Sequence, residues 1–127
     1  KKNGNKKIII LHCVSSYPLS YNQCNFSKFF HLKKIFKKAG YSGHCPGIQD
    51  AIFAISNGAC AIEKHFTIDN NLPGRDNKFA LLPEEFLKIS IAAKRYNEMF
   101  NTTIEDSEFL EQEMEVREIY SGRWSGN

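Results

Sequence analysis

Apolar residues along the first hundred positions alternate between short continuous runs and longer helical repeats. Residues 8–11 form a β-branched and apolar run, which is typical of a parallel strand buried on both faces. Residues 26–39 place apolar side chains at spacings of three and four opposite a lysine-rich face, which predicts an amphipathic helix ending at Gly40. Residues 41–43 predict a very short extended piece that leads to His44.

The same alternation continues through the next sixty residues. A second predicted helix opens at Pro46 and closes at Gly58, residues 60–62 predict a third strand, and residues 83–100 predict a third helix that starts with a proline. Repeated strand–helix units of this kind build a parallel sheet, either open and doubly wound or curled into a barrel. The sequence therefore predicts the α/β class.

Composition and charge exclude several classes of protein. Apolar residues make up 42% of the chain and charged residues 24%, which is ordinary for a globular domain. The net charge of +3 is too small to indicate a nucleic-acid partner. The apolar runs are far shorter than the ~20 residues that span a bilayer, and the basic N-terminus makes a poor signal peptide. We therefore expect no membrane partner and a cytoplasmic location.

Acidic and basic residues are concentrated in different segments of the chain. Acidic residues concentrate in residues 105–118, while basic residues crowd residues 1–7 and 28–38. These segments are either two solvated surfaces of opposite sign or a phosphate- or partner-binding face. We expect one α/β domain over residues 1–100 and an acidic tail of helix and linker over residues 101–127.

The four cysteines show no CxxC spacing, and nothing in the sequence indicates secretion, so free thiols are predicted.

Polar side chains follow each of the three predicted strands. The three groups are His12 with Cys13, His44 with Cys45, and Glu63 with Lys64 and His65. The carboxyl ends of parallel strands meet at one rim, where catalytic side chains of such folds lie. Imidazoles on neighbouring strand ends can hold a divalent cation with positions open for substrate. Each histidine taken singly also has a structural explanation, as a core or surface residue.

Two further features bear on this rim. A Cys2His2 zinc site is disfavoured, because adjacent residues on a strand point to opposite sides. The charged loop of residues 69–78, which includes Asp76, is either a substrate lid or an exposed connection.

Four segments of the chain resemble consecutive signature blocks of the sialic acid synthase (N-acetylneuraminate synthase) family. They read ILHCVSSYP, GYSGHCPGI, GACAIEKHFTID and LPGRDNKFALLPEEF, in the order and spacing of that family. The resemblance covers about three quarters of the chain and implies the sixth, seventh and eighth units of a (β/α)8 TIM barrel.

The resemblance also implies a reaction. It is the condensation of phosphoenolpyruvate with an N-acylmannosamine-type amino sugar, giving a nine-carbon 2-keto acid and phosphate. By the same resemblance, His12 and His44 hold a divalent metal, Mn²⁺ or Mg²⁺, which polarises the sugar aldehyde. Gly43 stands where many bacterial members have aspartate. The remaining rim residues are Glu63, Lys64 and His65, expected at the catalytic centre, and Ser15 and Asp76, expected at the substrate.

The resemblance does not include the first five barrel units or the small domain that follows the barrel in the family. We therefore expect activity only in a full-length enzyme, as a homodimer or with a complementing chain. One alternative is an inactive, truncated fragment that keeps a metal-binding rim and acts as an interaction module. Another is an open doubly wound binding domain, although no glycine-rich phosphate loop is present.

Overall fold

The computed structural model of the chain describes residues 4–5, 7–101 and 109–123. The helices and strands in order are β1 (Ile10–Cys13), α1 (Phe26–Ile35), β2 (Ala39–Gly43), α2 (Gln49–Ser56), β3 (Ile62–Lys64), α3 (Pro83–Phe100) and α4 (Glu111–Tyr120). The three strands form one parallel sheet in the order β1-β2-β3. The predicted α/β class with a parallel sheet is therefore confirmed.

The first strand begins later than the apolar run predicts. β1 starts at Ile10, which pairs with Ala39, whereas Ile8 and Ile9 are exposed. Hydrogen bonding to β2 decides this boundary, because strand pairing exists only where the partner strand runs alongside. The shift places His12 inside β1 and not after it.

The role predicted for Gly40 is wrong. Helix α1 ends at Ile35, and Gly40 lies inside β2 beside Leu11. A Cβ atom at this position would lie 2.5 Å from the carbonyl oxygen of Ala61. The glycine therefore permits a close approach within the sheet and does not end the helix.

Aromatic and aliphatic side chains pack α1 and α2 against the same face of the sheet. Phe26 at the start of α1 stacks on Tyr41 of β2, with ring centroids 4.8 Å apart, and contacts Phe53 of α2 at 4.6 Å. A second cluster joins α2 to α3 through Ile55 and Ile89. Burial of these faces supplies the apolar contacts that hold the helices on the sheet.

Helix α3 has the bounds that the sequence predicts, and its apolar stripe packs as expected. Phe86, Ala93 and Tyr96 all lie against the second cluster, while Phe100 is exposed. None of the described helices is long and apolar enough to cross a membrane.

The predicted acidic tail is described in part. Helix α4 is exposed along its length, and residues 102–108 and 124–127 lie outside the described residues. The division into residues 1–100 and 101–127 stays a prediction.

Candidate functional site

The strand ends carry different side chains on the two faces of the sheet. Cys13, Ser42 and Glu63 lie side by side in the parallel register, and Cys13 and Glu63 are exposed. Ser42 Oγ donates a hydrogen bond to Glu63 Oε1 at 2.8 Å. Glu63 therefore lies on an accessible rim, as its position after the third apolar run predicts.

His44 and His65 come together just beyond the ends of β2 and β3. Their ring centroids are 5.3 Å apart. The ring of Tyr17 lies 4.3 Å from that of His44 and 5.7 Å from that of His65, and Phe79 closes the other side of His65 at 5.1 Å. Two of the three predicted rim histidines thus share one aromatic-walled site.

The hydrogen bond of His44 fixes which ring nitrogen carries the proton. His44 is 3% exposed, and its Nδ1 lies 2.9 Å from the carbonyl oxygen of Val14. A carbonyl oxygen only accepts, so Nδ1 must donate, and the neutral ring then has its lone pair on Nε2. His44 can therefore act as a base or a metal ligand through Nε2.

A small polar cavity adjoins this histidine pair. Its volume is about 160 Å³, and its walls are Tyr17, His65, Arg75 and Asp76. His65 Nδ1 lies 3.6 Å from Asp76 Oδ2, which forms an ion pair when the imidazole is protonated. The charged loop thus brings Arg75 and Asp76 to the rim.

Two cavity residues, Tyr17 and Arg75, were not among the predicted site residues. Both lie in irregular segments that give no periodic signal in the sequence. The available signal was positional, since Arg75 is adjacent to Asp76 and Tyr17 lies five residues beyond His12.

His12 does not join the other two imidazoles. It is paired with Tyr41 in the register and faces the helices, where its Nε2 lies 2.8 Å from the carbonyl oxygen of Cys24. Its ring lies among Phe26 and Tyr41, and no ring contact between His12 and His44 is present in the described part of the chain. The expectation of three imidazoles in one cavity is therefore corrected to two. The cause is strand alternation, since β1 runs on to Cys13 and turns His12 to the helix side.

Lys64 also faces the helices. Its Nζ lies 2.9 and 3.0 Å from the two carboxylate oxygens of Asp50 and 2.7 Å from the carbonyl oxygen of Cys45. Its side chain is 2% exposed. Alternation along β3 sends Lys64 and Glu63 to opposite faces. The structure therefore places the Lys64 ammonium on the other side of the sheet from Glu63, although Lys64 is expected with Glu63 at the catalytic centre.

Ser15 is exposed just after β1, with its Oγ 4.0 Å from the sulfur of Cys13. This places its hydroxyl at the same end of the sheet as Glu63.

The predicted metal ligands fit a cation singly but not as a set. His12 and His44 each bond one ring nitrogen to a main-chain carbonyl, an arrangement common in metal-binding histidines. Within the described ranges, however, no three His, Cys, Asp or Glu side chains are grouped to hold a metal ion. The metal assignment stays a prediction, and any complete site needs ligands from elsewhere.

All four cysteines are free thiols, as predicted. Cys24 and Cys45 are buried with their sulfurs 3.3 Å apart. Burial, the hydrogen bond with Cys24 and the charge of Asp50 together raise the pKa of the Cys45 thiol to about 12. Burial and Asp50 likewise raise the pKa of Tyr41 above its ordinary value. The Cys45 thiol is therefore protonated at neutral pH and does not form a reactive thiol centre.

A parallel sheet whose strand ends carry a histidine pair, an exposed carboxylate and a polar cavity has the layout of an α/β enzyme rim. The model of the NeuB family matches residues 1–105. The chain belongs to the NeuB family.

The proteins that the chain resembles include several named as sialic-acid-type synthases. The chain is 38% identical over 114 residues to the N,N'-diacetyllegionaminic acid synthase of Campylobacter jejuni. The aligned region covers 87% of the chain and 34% of that protein. It is 32% identical to the N-acetylneuraminate-9-phosphate synthase of Drosophila melanogaster, over 76% of the chain and 26% of that protein. A crystal structure of the N-acetylneuraminic acid synthetase of Leptospira borgpetersenii, in complex with citrate, superposes with a TM-score of 0.73 at 36% identity, covering 91% of the chain and 41% of that structure. The chain thus spans about a third of the length of the relatives it matches.

Proposed function

We propose that the chain supplies the last three β-α units of a (β/α)8-barrel synthase. The reaction is the condensation of phosphoenolpyruvate with an N-acylmannosamine-type amino sugar, which yields a nine-carbon 2-keto acid and phosphate. Membership of the NeuB family and the names of the similar synthases support this assignment. The observation that carries it is the pairing of His44 with His65 beside a polar cavity at the strand ends.

The reaction needs proton transfer at two places. The enol carbon of phosphoenolpyruvate forms a bond to the sugar aldehyde carbon, whose oxygen takes up a proton. Water adds to the phosphate-bearing carbon, loses a proton, and phosphate leaves. His65, beside Asp76 at the cavity, is the imidazole that can exchange these protons, while the Nε2 lone pair of His44 is kept for the metal ion. Glu63 and Ser15 present a carboxylate and a hydroxyl to the sugar on the open face.

The cofactor we propose is Mn²⁺ or Mg²⁺, with His44 and His12 among its ligands in the complete enzyme. When bound, such a cation would supply Lewis-acid polarisation of the sugar aldehyde. Placing His12 in that role requires its ring to leave the carbonyl of Cys24.

The missing part of the barrel comes either from a longer chain or from a complementing one, and we expect a homodimer working in the cytoplasm. An apolar groove of about 790 Å³ beside β1 supports the need for a neighbouring segment, since its walls include Ile8, Ile10, Ile35 and Phe36. Within the described residues β1 pairs on one side only, with β2. The same exposed edge supports the alternative, an inactive fragment that acts as an interaction module.

Complementation tests the proposal. The chain is mixed with a segment of a similar synthase that carries the first five units, and phosphate release from phosphoenolpyruvate is measured with Mn²⁺ or Mg²⁺. We expect release that requires the amino sugar and both segments, and that falls at least a hundredfold in His44→Ala. A folded complex that releases no phosphate with an amino-sugar precursor of any of the three acids in the relatives' names would favour the inactive fragment.

A further inference from the structure

The ion pair between Lys64 and Asp50 lies directly beneath the loop that carries His44. The side chains of Lys64 and Asp50 are 2% and 0% exposed. The Lys64 ammonium uses its donors on both carboxylate oxygens of Asp50 and on the carbonyl of Cys45. One side chain of β3 thus connects helix α2 to the residue that follows His44.

Neighbouring groups donate hydrogen bonds to Asp50 and leave space for its carboxylate. The hydroxyl of Tyr41 donates to Asp50 Oδ2 at 3.3 Å, and the amide of Ala51 donates to Asp50 Oδ1 at 2.9 Å. A Cβ atom at Gly43 would collide with Asp50 Oδ2 and lie 2.6 Å from Tyr41 Cε1. Glycine at position 43 therefore leaves room for the Asp50 carboxylate next to the strand end. A buried ion pair adds little net stability, because the cost of desolvating the two charges offsets their attraction. We therefore look for the role of this pair in the groups that it positions.

Hydrogen bonds hold both the main chain and the ring of His44. The carbonyl of His44 accepts from the amide of Leu19 at 2.9 Å, and the next carbonyl, that of Cys45, accepts from Lys64. The ring is held by the carbonyl of Val14. These bonds hold the main chain at His44, and the bond to Val14 then sets the ring with its lone pair on Nε2.

We infer that Lys64 and Asp50 are positioning residues for His44, acting through the carbonyl of Cys45 without touching substrate. The catalytic consequence rests on the proposed function, whereas the positioning itself does not. This indirect role takes the place of the expectation that Lys64 itself lies at the catalytic centre.

The test reads the tautomer of His44 in the whole 127-residue chain. The double variant Lys64→Met/Asp50→Asn removes both charges at nearly constant volume and deletes the donor to Cys45. The control is Lys33→Met, because Lys33 is exposed and its ammonium also donates to a main-chain carbonyl, that of Asn57. The chain is labelled with ¹⁵N-histidine, and NMR spectra of the ring nitrogens report the fraction of His44 that carries its proton on Nδ1.

We expect that fraction to fall at least twofold in the double variant and to stay unchanged in Lys33→Met. A folded double variant with the wild-type tautomer of His44 would overturn the inference. If the double variant does not fold, Asp50→Asn alone decides, with a smaller fall expected and an unchanged tautomer counting against the inference.

A second readout separates this inference from the proposed function. In the complemented enzyme, the double variant should lower kcat about tenfold or more with little change in KM for phosphoenolpyruvate, and Lys64→Arg should recover part of kcat. Absence of activity in every mixture, wild type included, would remove the proposed function and leave the tautomer result standing.

Discussion

The imidazole of His44 and that of His65 lie against each other at the ends of two neighbouring parallel strands, with 5.3 Å between ring centroids. The two residues are 21 positions apart in the sequence, and the parallel pairing of β2 with β3 brings them together. In both rings Nδ1 faces an acceptor, a main-chain carbonyl for His44 and a carboxylate for His65.

Tyr17 should matter more to activity than to stability. Its ring contacts both histidines but is 40% exposed, so Tyr17→Ala removes the shared wall and little buried area. We expect a loss of about tenfold or more in kcat of the complemented enzyme, and at most ~1 kcal/mol in the free energy of unfolding. Tyr120→Ala, in the exposed helix α4, is the control and should change neither quantity. Equal losses in both variants would show that Tyr17 has no particular role at the site.

Gly43→Ala should destabilise the fold. The new methyl group meets Asp50, Tyr41 and Lys64 in a site already filled. We expect the free energy of unfolding to drop by about 1–3 kcal/mol, as is usual for overpacked cores. Denaturant unfolding measures it against Ser90→Ala on the exposed face of α3. A Gly43→Ala variant as stable as that control would mean that the Asp50 carboxylate is not where the structure has it.

The four thiols should react in two classes. Cys13 and Cys60 are exposed, whereas Cys24 and Cys45 are buried. Under native conditions at pH 8, iodoacetamide should modify the exposed pair and leave the buried pair until the chain is unfolded. Mass spectrometry of the alkylated peptides gives the rates. Alkylation of Cys45 as fast as that of Cys60 would contradict the packing between Tyr41 and the His44 loop.

Stability should decline at alkaline pH. The pKa of Cys45 is raised from 9.0 to about 12 in the folded chain, so the unfolded chain loses this proton first as the pH rises. The free energy of unfolding is then greatest below pH 9 and falls towards pH 12, by up to about 1.4 kcal/mol per pH unit for one proton. Cys45→Ala should flatten this decline between pH 9 and pH 10, below the ordinary pKa of Tyr41, and Cys60→Ala should leave it as it is. Parallel curves for the two variants would contradict the assignment.

The alternation of strands and helices was predictable because each element carries its own periodic signal. Helix α3 shows this best, since Pro83 marks its start and the stripe through Ile89 marks its buried face. Strand ends were less predictable, because an apolar run does not reveal where the partner strand begins. Because His12 and Lys64 lie within their strands, alternation turns both side chains to the helix side of the sheet.

The sequence predicted the place of the site, at the ends of the strands, but not the contacts between its side chains. Three polar groups after three apolar runs indicated where chemistry would lie, and the structure places Glu63, His44 and His65 there. The contributions of Tyr17 and Arg75 arise from loop conformations that no local pattern encodes.

We propose that this chain forms the strand-end rim of a phosphoenolpyruvate-dependent synthase, with His44 at its centre. A chimera tests it most directly, in which residues 1–105 of this chain replace the matching segment of the Campylobacter jejuni N,N'-diacetyllegionaminic acid synthase. Product is measured by mass spectrometry in the chimera, in its His44→Ala variant and in a His31→Ala control on the exposed face of α1. The account predicts a nine-carbon 2-keto acid from the chimera and the control, and at least a hundredfold less from His44→Ala. A folded chimera that forms no such acid, or one that His44→Ala leaves fully active, would contradict it.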